Sequence, residues 1–139
     1  MEIKYQQATN MDQVVSLHKL LFNEDTQSFF NSIKTRDYYK TFVATHNNNA
    51  VAYCIISVIA GEAEIINIGT LHDYRNQNIA YNLLNFAEEK IDADVIFLEV
   101  SNTNEPAIKL YRKCGFEPYS IRKKYYGHSD AILMKKQKN

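Results

Sequence analysis

A chain of 139 residues, 45% hydrophobic and 23% charged, is long enough for one buried core and has the balance of a water-soluble protein. Its 16 basic and 16 acidic side chains give a formal net charge of +0, so nothing argues for a nucleic-acid footprint, and Lys135, Lys136 and Lys138 read as a solvated tail. No apolar run approaches a membrane span, the first residues lack a signal-peptide core, and Cys54 and Cys114 fit neither a metal-ligand spacing nor a disulfide framework; the expectation is a cytoplasmic protein with free thiols, no metal and no membrane partner.

Residues 3–8 can form a first strand. Asn10 or Asp12 can cap a helix whose apolar positions Val14, Leu17, Leu20 and Leu21 recur at helical spacing. Residues 26–34 fit a second short helix through Phe29, Phe30 and Ile33. Residues 41–45 and the β-branched run 51–59 read as strands joined at Asn47-Asn48-Asn49, because asparagine tolerates the positive φ of a hairpin turn. Gly61 starts the next turn, and residues 64–71 form another strand whose Gly69 marks a bulge or the close approach of a ligand. Ile79, Leu83, Phe86, Ala87 and Lys90 recur three or four apart and predict a helix over 78–91. Residues 94–100 are strand-like, and 104–114 helical, with Pro106 in the first turn and Gly115 past the end. Residues 116–126 and 131–136 predict two final, paired strands. The order β-α-α-β-β-β-α-β-α-β-β gives an α/β fold with a mixed central sheet of about seven strands and four helices, in a single domain over residues 1–139.

Three places can carry chemistry. Residues 75–81 lead into a helix N-terminus, where unpaired N–H groups and the helix dipole favour an anion such as a pyrophosphate; by itself this pattern equally suits an ordinary capped helix. Glu99 shares a strand face with Val95 and Phe97, an odd place for a carboxylate unless a cleft opens there or the strand end is splayed into solvent. Tyr111 lies three residues after Ile108 and four after Ala107 on its helix, and is either a core tyrosine or a proton donor at a cleft.

The phrase Asn104-Glu105-Pro106-Ala107-Ile108-Lys109-Leu110-Tyr111-Arg112-Lys113-Cys114-Gly115-Phe116 fits the pattern N-x-x-A-x-x-L-Y-x-x-x-G-F. Arg75-Asn76-Gln77-Asn78-Ile79-Ala80 follows (Q/R)-x-x-G-x-(G/A), with Asn78 standing where the pattern has its first glycine. In both, the chain resembles the GNAT superfamily of N-acetyltransferases. The resemblance is closest to the ribosomal-protein-alanine N-acetyltransferases (RimI-like) and their protein N-terminal acetyltransferase relatives. It is strong from Glu64 onward and weak before about Thr41.

What the resemblance implies is an acetyl-CoA-dependent N-acetyltransferase. Arg75, Asn76, Gln77, Asn78, Ile79, Ala80 and Tyr81 would hold the cofactor's pyrophosphate. Ile68, Gly69, Thr70 and Asn104 would line its pantetheine arm. Glu99 would be the base and Tyr111 the acid, and Tyr125 and Tyr126 would wall the acceptor channel. The implied acceptor is the N-terminal α-amine of a protein or peptide, such as a ribosomal protein. A small-molecule or aminoacyl-tRNA amine, or a non-catalytic acyl-CoA-binding module, are the alternatives, and the expected state is a monomer or homodimer. Asparagine is the residue next most willing after glycine to take a left-handed conformation, so the Asn78 loop can keep its turn at some cost in affinity.

Overall fold

A computed structural model describes residues 1–33 and 36–138. Seven strands, β1 (Lys4–Gln7), β2 (Tyr39–His46), β3 (Asn49–Ile59), β4 (Glu62–Thr70), β5 (Val95–Ser101), β6 (Glu117–Arg122) and β7 (Ala131–Gln137), form one sheet in the order β1-β2-β3-β4-β5-β7-β6. Four helices, α1 (Asp12–Leu21), α2 (Thr26–Ile33), α3 (Ile79–Lys90) and α4 (Glu105–Lys113), cover it, which is the expected α/β architecture in the expected order. The expected end of the second helix, Lys34, lies outside the described residues. Asn47 and Asn48 take φ of 52° and 66°, the left-handed pair that a tight β2–β3 hairpin requires.

The long run of β3 is buried on both faces, as apolar strands sandwiched between helices are. Ala52, Cys54 and Ile56 point to the side where α3 lays Ile79, Leu83, Leu84 and Ala87, and Tyr111 of α4 joins this core. Tyr53 and Ile55 point to the other side, where α1 and α2 bring Val14, Leu17, Phe30 and Ile33. Both cysteines are free and buried. Among the described residues, no helix is long and apolar enough to cross a membrane.

One expectation for α1 changes. Leu20 is exposed, because it projects away from the stripe of Val14, Leu17 and Leu21; fully buried His18 takes a core place instead. Its Nδ1 lies 2.8 Å from Thr26 Oγ1 and its Nε2 2.6 Å from Glu24 Oε1, so both ring nitrogens are satisfied between the rings of Phe22, Phe29 and Phe30. The Asn10 side chain does hold the helix start, accepting the Asp12 N–H at 2.9 Å, while Asp12 itself sits in the first turn.

One seam in the sheet matters for function. Every neighbouring pair is antiparallel except β4 and β5, which run parallel and pair only through Glu62↔Val95, Ala63↔Ile96 and Glu64↔Phe97. Just beyond, the register of β4 against β3 slips, so Ile66 has no partner between the Ile56↔Ile65 and Ile55↔Asn67 pairs. A bulge bends and twists its strand. Past it, residues 67–70 pair with β3 alone, and residues 98–101 of β5 with β7 alone. The two strands splay and leave a gap in mid-sheet.

Gly69 lies within this stretch, but the bulge is three residues earlier. A Cβ on Gly69 would stand 2.9 Å from Leu21 Cδ1 and 3.2 Å from both the Phe22 and Tyr53 rings. The glycine is therefore explained by the end of α1 pressing onto β4, a packing cause that its own strand does not reveal.

Candidate active site

The splay exposes backbone. On the edge facing β5, the strand has lost its ladder partner, so the N–H and C=O groups of Ile68 and Thr70 face the gap, where an extended polar ligand can pair with them. Gly69, also expected beside a pantetheine arm, turns its own backbone groups to β3, in the same set as Leu71, whose N–H bonds the Val51 carbonyl. The Thr70 carbonyl is already engaged, accepting from Arg75 Nε at 3.1 Å, so Arg75 folds back over the strand end.

The chain then makes a single 3-10 turn, His72–Tyr74, and runs through residues 75–78 into α3. Asn76 has φ of 61°, and Asn78, the N-cap, has φ 62° and ψ 15°. Both are left-handed, the conformation for which the family pattern uses glycine. Asn82 N–H to Asn78 C=O is the first bond of this helix, which leaves the N–H groups of Ile79, Ala80 and Tyr81 without helical partners. Gln77 turns away, its Nε2 donating to the Asp73 carbonyl at 3.1 Å. An unpaired strand edge leading to a bare helix N-terminus suits a long ligand with an amide-bearing arm and a pyrophosphate, as coenzyme A has.

Asn104 is the N-cap of α4, and its Oδ1 accepts the Ala107 N–H at 3.3 Å. Capping accounts for the oxygen of this side chain.

Glu99 is on the opposite face of β5 from Leu98 and Val100, which are in the core. Helices α1 and α2 cover this face over β3 and β4, away from Glu99. Around Glu99 the face forms the wall of a groove of about 560 Å³ lined by Glu64, Phe97, Tyr119 and Arg122 among others. The Glu99 carboxylate is 26% exposed, and Arg122 Nη1 lies 3.4 Å from it. Glu64 stands beside it because β4 pairs with β5 in that register. Burial, and then the Glu99 charge, push the Glu64 carboxyl above its ordinary range, against the pull of Arg122. The sequence reading missed Glu64 and Arg122. Strand alternation marks Glu64 as facing outward, but only the parallel pairing brings it to Glu99.

Tyr111 is 6% exposed, packed edge-on against Phe116 at 6.0 Å within the α3–α4 core. Burial pushes its phenol well above the ordinary value, so it keeps its proton through neutral pH. Among the described residues no buried side-chain nitrogen or oxygen lacks a partner.

Tyr125 and Tyr126 are not on a strand, contrary to the expectation that 116–126 is one β element. β6 stops at Arg122 because the backbone turns there. Lys124 has φ 51° and Gly127 φ 85°, Gly127 N–H bonds the Lys124 carbonyl, and Asp130 Oδ1 accepts the Lys124 N–H at 2.7 Å. The tyrosines project from this turn, exposed by 53% and 43%. Tyr125 sets its ring under Arg122, 5.2 Å away, and Tyr126 packs edge-on against Tyr125. Burial and the Glu99 charge raise the Tyr126 phenol, and Tyr126 in turn adds to the upward shift of Tyr111. Tyr111 thus lies on the α3–α4 side of the sheet, and Glu99 on the other side with Arg122 and Tyr125 beside it.

Comparison with known proteins agrees with this geometry. The family model described as acetyltransferase (GNAT) family matches residues 9–116. The chain is similar to the [ribosomal protein bS18]-alanine N-acetyltransferase of Escherichia coli K12, 34% identical over 103 residues that cover 69% of this chain and 70% of that protein. It is also similar to an N-alpha-acetyltransferase of the archaeon Sulfurisphaera tokodaii, 27% identical over 150 residues, with 95% and 90% covered. The crystal structure of the ribosomal-protein-S18-alanine N-acetyltransferase from E. coli superposes with a TM-score of 0.85 at 26% identity, over 98% of this chain and 94% of that one. The splayed seam, the turn into α3 and these likenesses agree: the chain belongs to the acetyltransferase (GNAT) family and is an acetyl-CoA-dependent N-acetyltransferase.

Proposed function

We propose that the acceptor is the N-terminal α-amine of a protein, of the ribosomal-protein-alanine kind, and that Glu99 and Tyr111 are the base and the acid of the transfer. The observation that carries this reading is the groove on the helix-free half of the sheet. It is open to solvent, lined by Phe97, Tyr119 and Arg122, and it carries the Glu99 carboxylate in its wall. An amine with a peptide behind it can lie along such a trough, and flat amphipathic rings suit its backbone. The names of the E. coli and S. tokodaii relatives support the same acceptor class.

Acetyl-CoA supplies an acetyl group activated as a thioester. The backbone of Ile68 and Thr70 and the Asn104 amide would hold its arm across the splay, and the amides of Ile79, Ala80 and Tyr81 would take its phosphates. A protein α-amine has a pKa of roughly 7.7–8.0, so much of it is protonated at neutral pH and must be stripped before it attacks the carbonyl carbon. Glu99 takes that proton, directly or through a water, with Arg122 fixing the carboxylate. As the new C–N bond forms and the C–S bond breaks, the Tyr111 hydroxyl gives its proton to the departing sulfur. Tyr126, on the turn after β6, would help direct the acceptor toward the gap.

The test is acetyl-CoA turnover against short peptides that differ only in their first residue, read as CoA release and product mass. Acetylation of the α-amine, with alanine at the first position among the best, is the expected result. Acetylation confined to lysine side chains or to small amines would sink the proposal while leaving the family intact.

A further inference from the structure

Resting on the cofactor reading above, we infer that Lys113 is a positioning residue that keeps the phosphate-binding turn open despite asparagine at position 78. An asparagine at a helix N-cap ordinarily turns its side-chain oxygen onto the N–H of the second or third helical residue. For Asn78 these are Ala80 and Tyr81, the amides that a pyrophosphate needs. Asn104, at the start of α4, behaves in that ordinary way, binding the third helical N–H, that of Ala107, at 3.3 Å. Asn78 makes no such cap bond. Its Oδ1 instead accepts from Lys113 Nζ at 2.6 Å. The ammonium is itself held 4.4 Å above the Tyr81 ring.

The lysine arrives from the last turn of α4, so the clamp spans two helices that are separate in sequence. It does two things for an anion at the α3 N-terminus. It removes a competing acceptor from the amides, and it fixes a left-handed residue whose backbone conformation costs more in asparagine than in glycine. A glycine here would have no side chain to restrain. The value of Lys113 is therefore conditional on Asn78, and that conditionality separates a clamp from a lysine that simply attracts phosphate.

The experiment is a double-mutant cycle on the whole chain, read by isothermal titration with CoA: wild type, Lys113→Met, Asn78→Gly and the double variant. Lys113→Met is expected to weaken CoA binding about 5-fold in the wild-type background, and by less than about 2-fold once Asn78 is glycine. Lys113→Arg, which retains a donor on a long stem, is expected to recover most of the loss. In the ligand-free protein, Lys113→Met is expected to shift the amide resonances of Ala80 and Tyr81. An equal loss in both backgrounds would assign Lys113 to direct phosphate attraction and overturn the clamp; so would no loss in either. A wild-type protein that binds no CoA would overturn the cofactor reading first, and this inference with it, before any variant is compared.

Discussion

The two faces of the sheet at the β4–β5 seam are built differently. On one, α3 and α4 close over the strands and Tyr111 sits in a packed core. On the other, α1 and α2 cover β3 and neighbouring strands, while the half beyond β4 is left to a groove whose wall is Glu99. The same gap therefore joins a dry side and a wet side. A phenol on the dry side is held protonated, which suits a donor. A carboxylate on the wet side can exchange its proton with solvent after each turnover, which suits a base. The lesson is that a local failure of strand pairing can bring a dry face and a wet face of one sheet to the same gap, with a phenol on the first and a carboxylate on the second.

The largest expected effect comes from the dry side. Tyr111→Phe removes the proposed acid without opening a cavity, and kcat is expected to fall by about 10²-fold or more, with CoA affinity by titration near that of the wild type. A fall in affinity matching the fall in kcat would mean the hydroxyl holds the cofactor instead. On the wet side, Glu99→Gln is expected to lower kcat by up to about 10²-fold at neutral pH. That deficit should narrow as pH rises above about 8, because the acceptor α-amine then loses its proton to solvent. The Tyr111→Phe deficit should not narrow in the same way. A pH–rate profile on both variants checks the contrast, and parallel profiles would erase the distinction between the faces.

The smallest expected effect concerns the turn that shelters both. Asp130 accepts the Lys124 N–H, and its own backbone pairs with Asn102, whose Oδ1 accepts the Asp130 N–H at 3.2 Å. It ties the turn bearing Tyr125 and Tyr126 to the loop before α4. Asp130→Ala is expected to raise the KM for an acceptor peptide by about 3- to 10-fold with little change in CoA affinity. The Lys124 N–H bond holds the Asp130 carboxyl below its ordinary value, so the folded state favours the charged form. Its contribution is then complete above the unfolded pKa of about 4 and is lost as pH falls through the lower folded value. The protection of amides in residues 123–130, measured against the intrinsic exchange rate at each pH, should therefore be constant from pH 5 to 8 and fall only in acid. A loss of protection near neutrality would remove Asp130 as the turn's anchor.

The sequence carried the order of elements, the hairpin at Asn47-Asn48-Asn49 and the helix after Pro106, because each is written in local periodicity, turn residues and caps. It also singled out Glu99 and Tyr111, since a carboxylate in an apolar strand and a tyrosine in a specific helical phrase are visible one residue at a time. The end of β6 was not legible, because the turn that stops it is closed by Asp130 from further along the chain. Leu20 left the expected stripe and His18 joined the core because helical spacing defines a stripe but not which edge of it meets a neighbour.

Tertiary structure alone decided where these pieces meet. The bulge at Ile66, the three-pair ladder between β4 and β5, the pairing that brings Glu64 to Glu99, the crowding that makes Gly69 a glycine and the reach of Lys113 to Asn78 all depend on contacts between residues distant in sequence. Local propensity fixes what each segment becomes. Register, packing and the fate of each unpaired polar group are settled only when segments are brought together, and it is there that this chain makes its site.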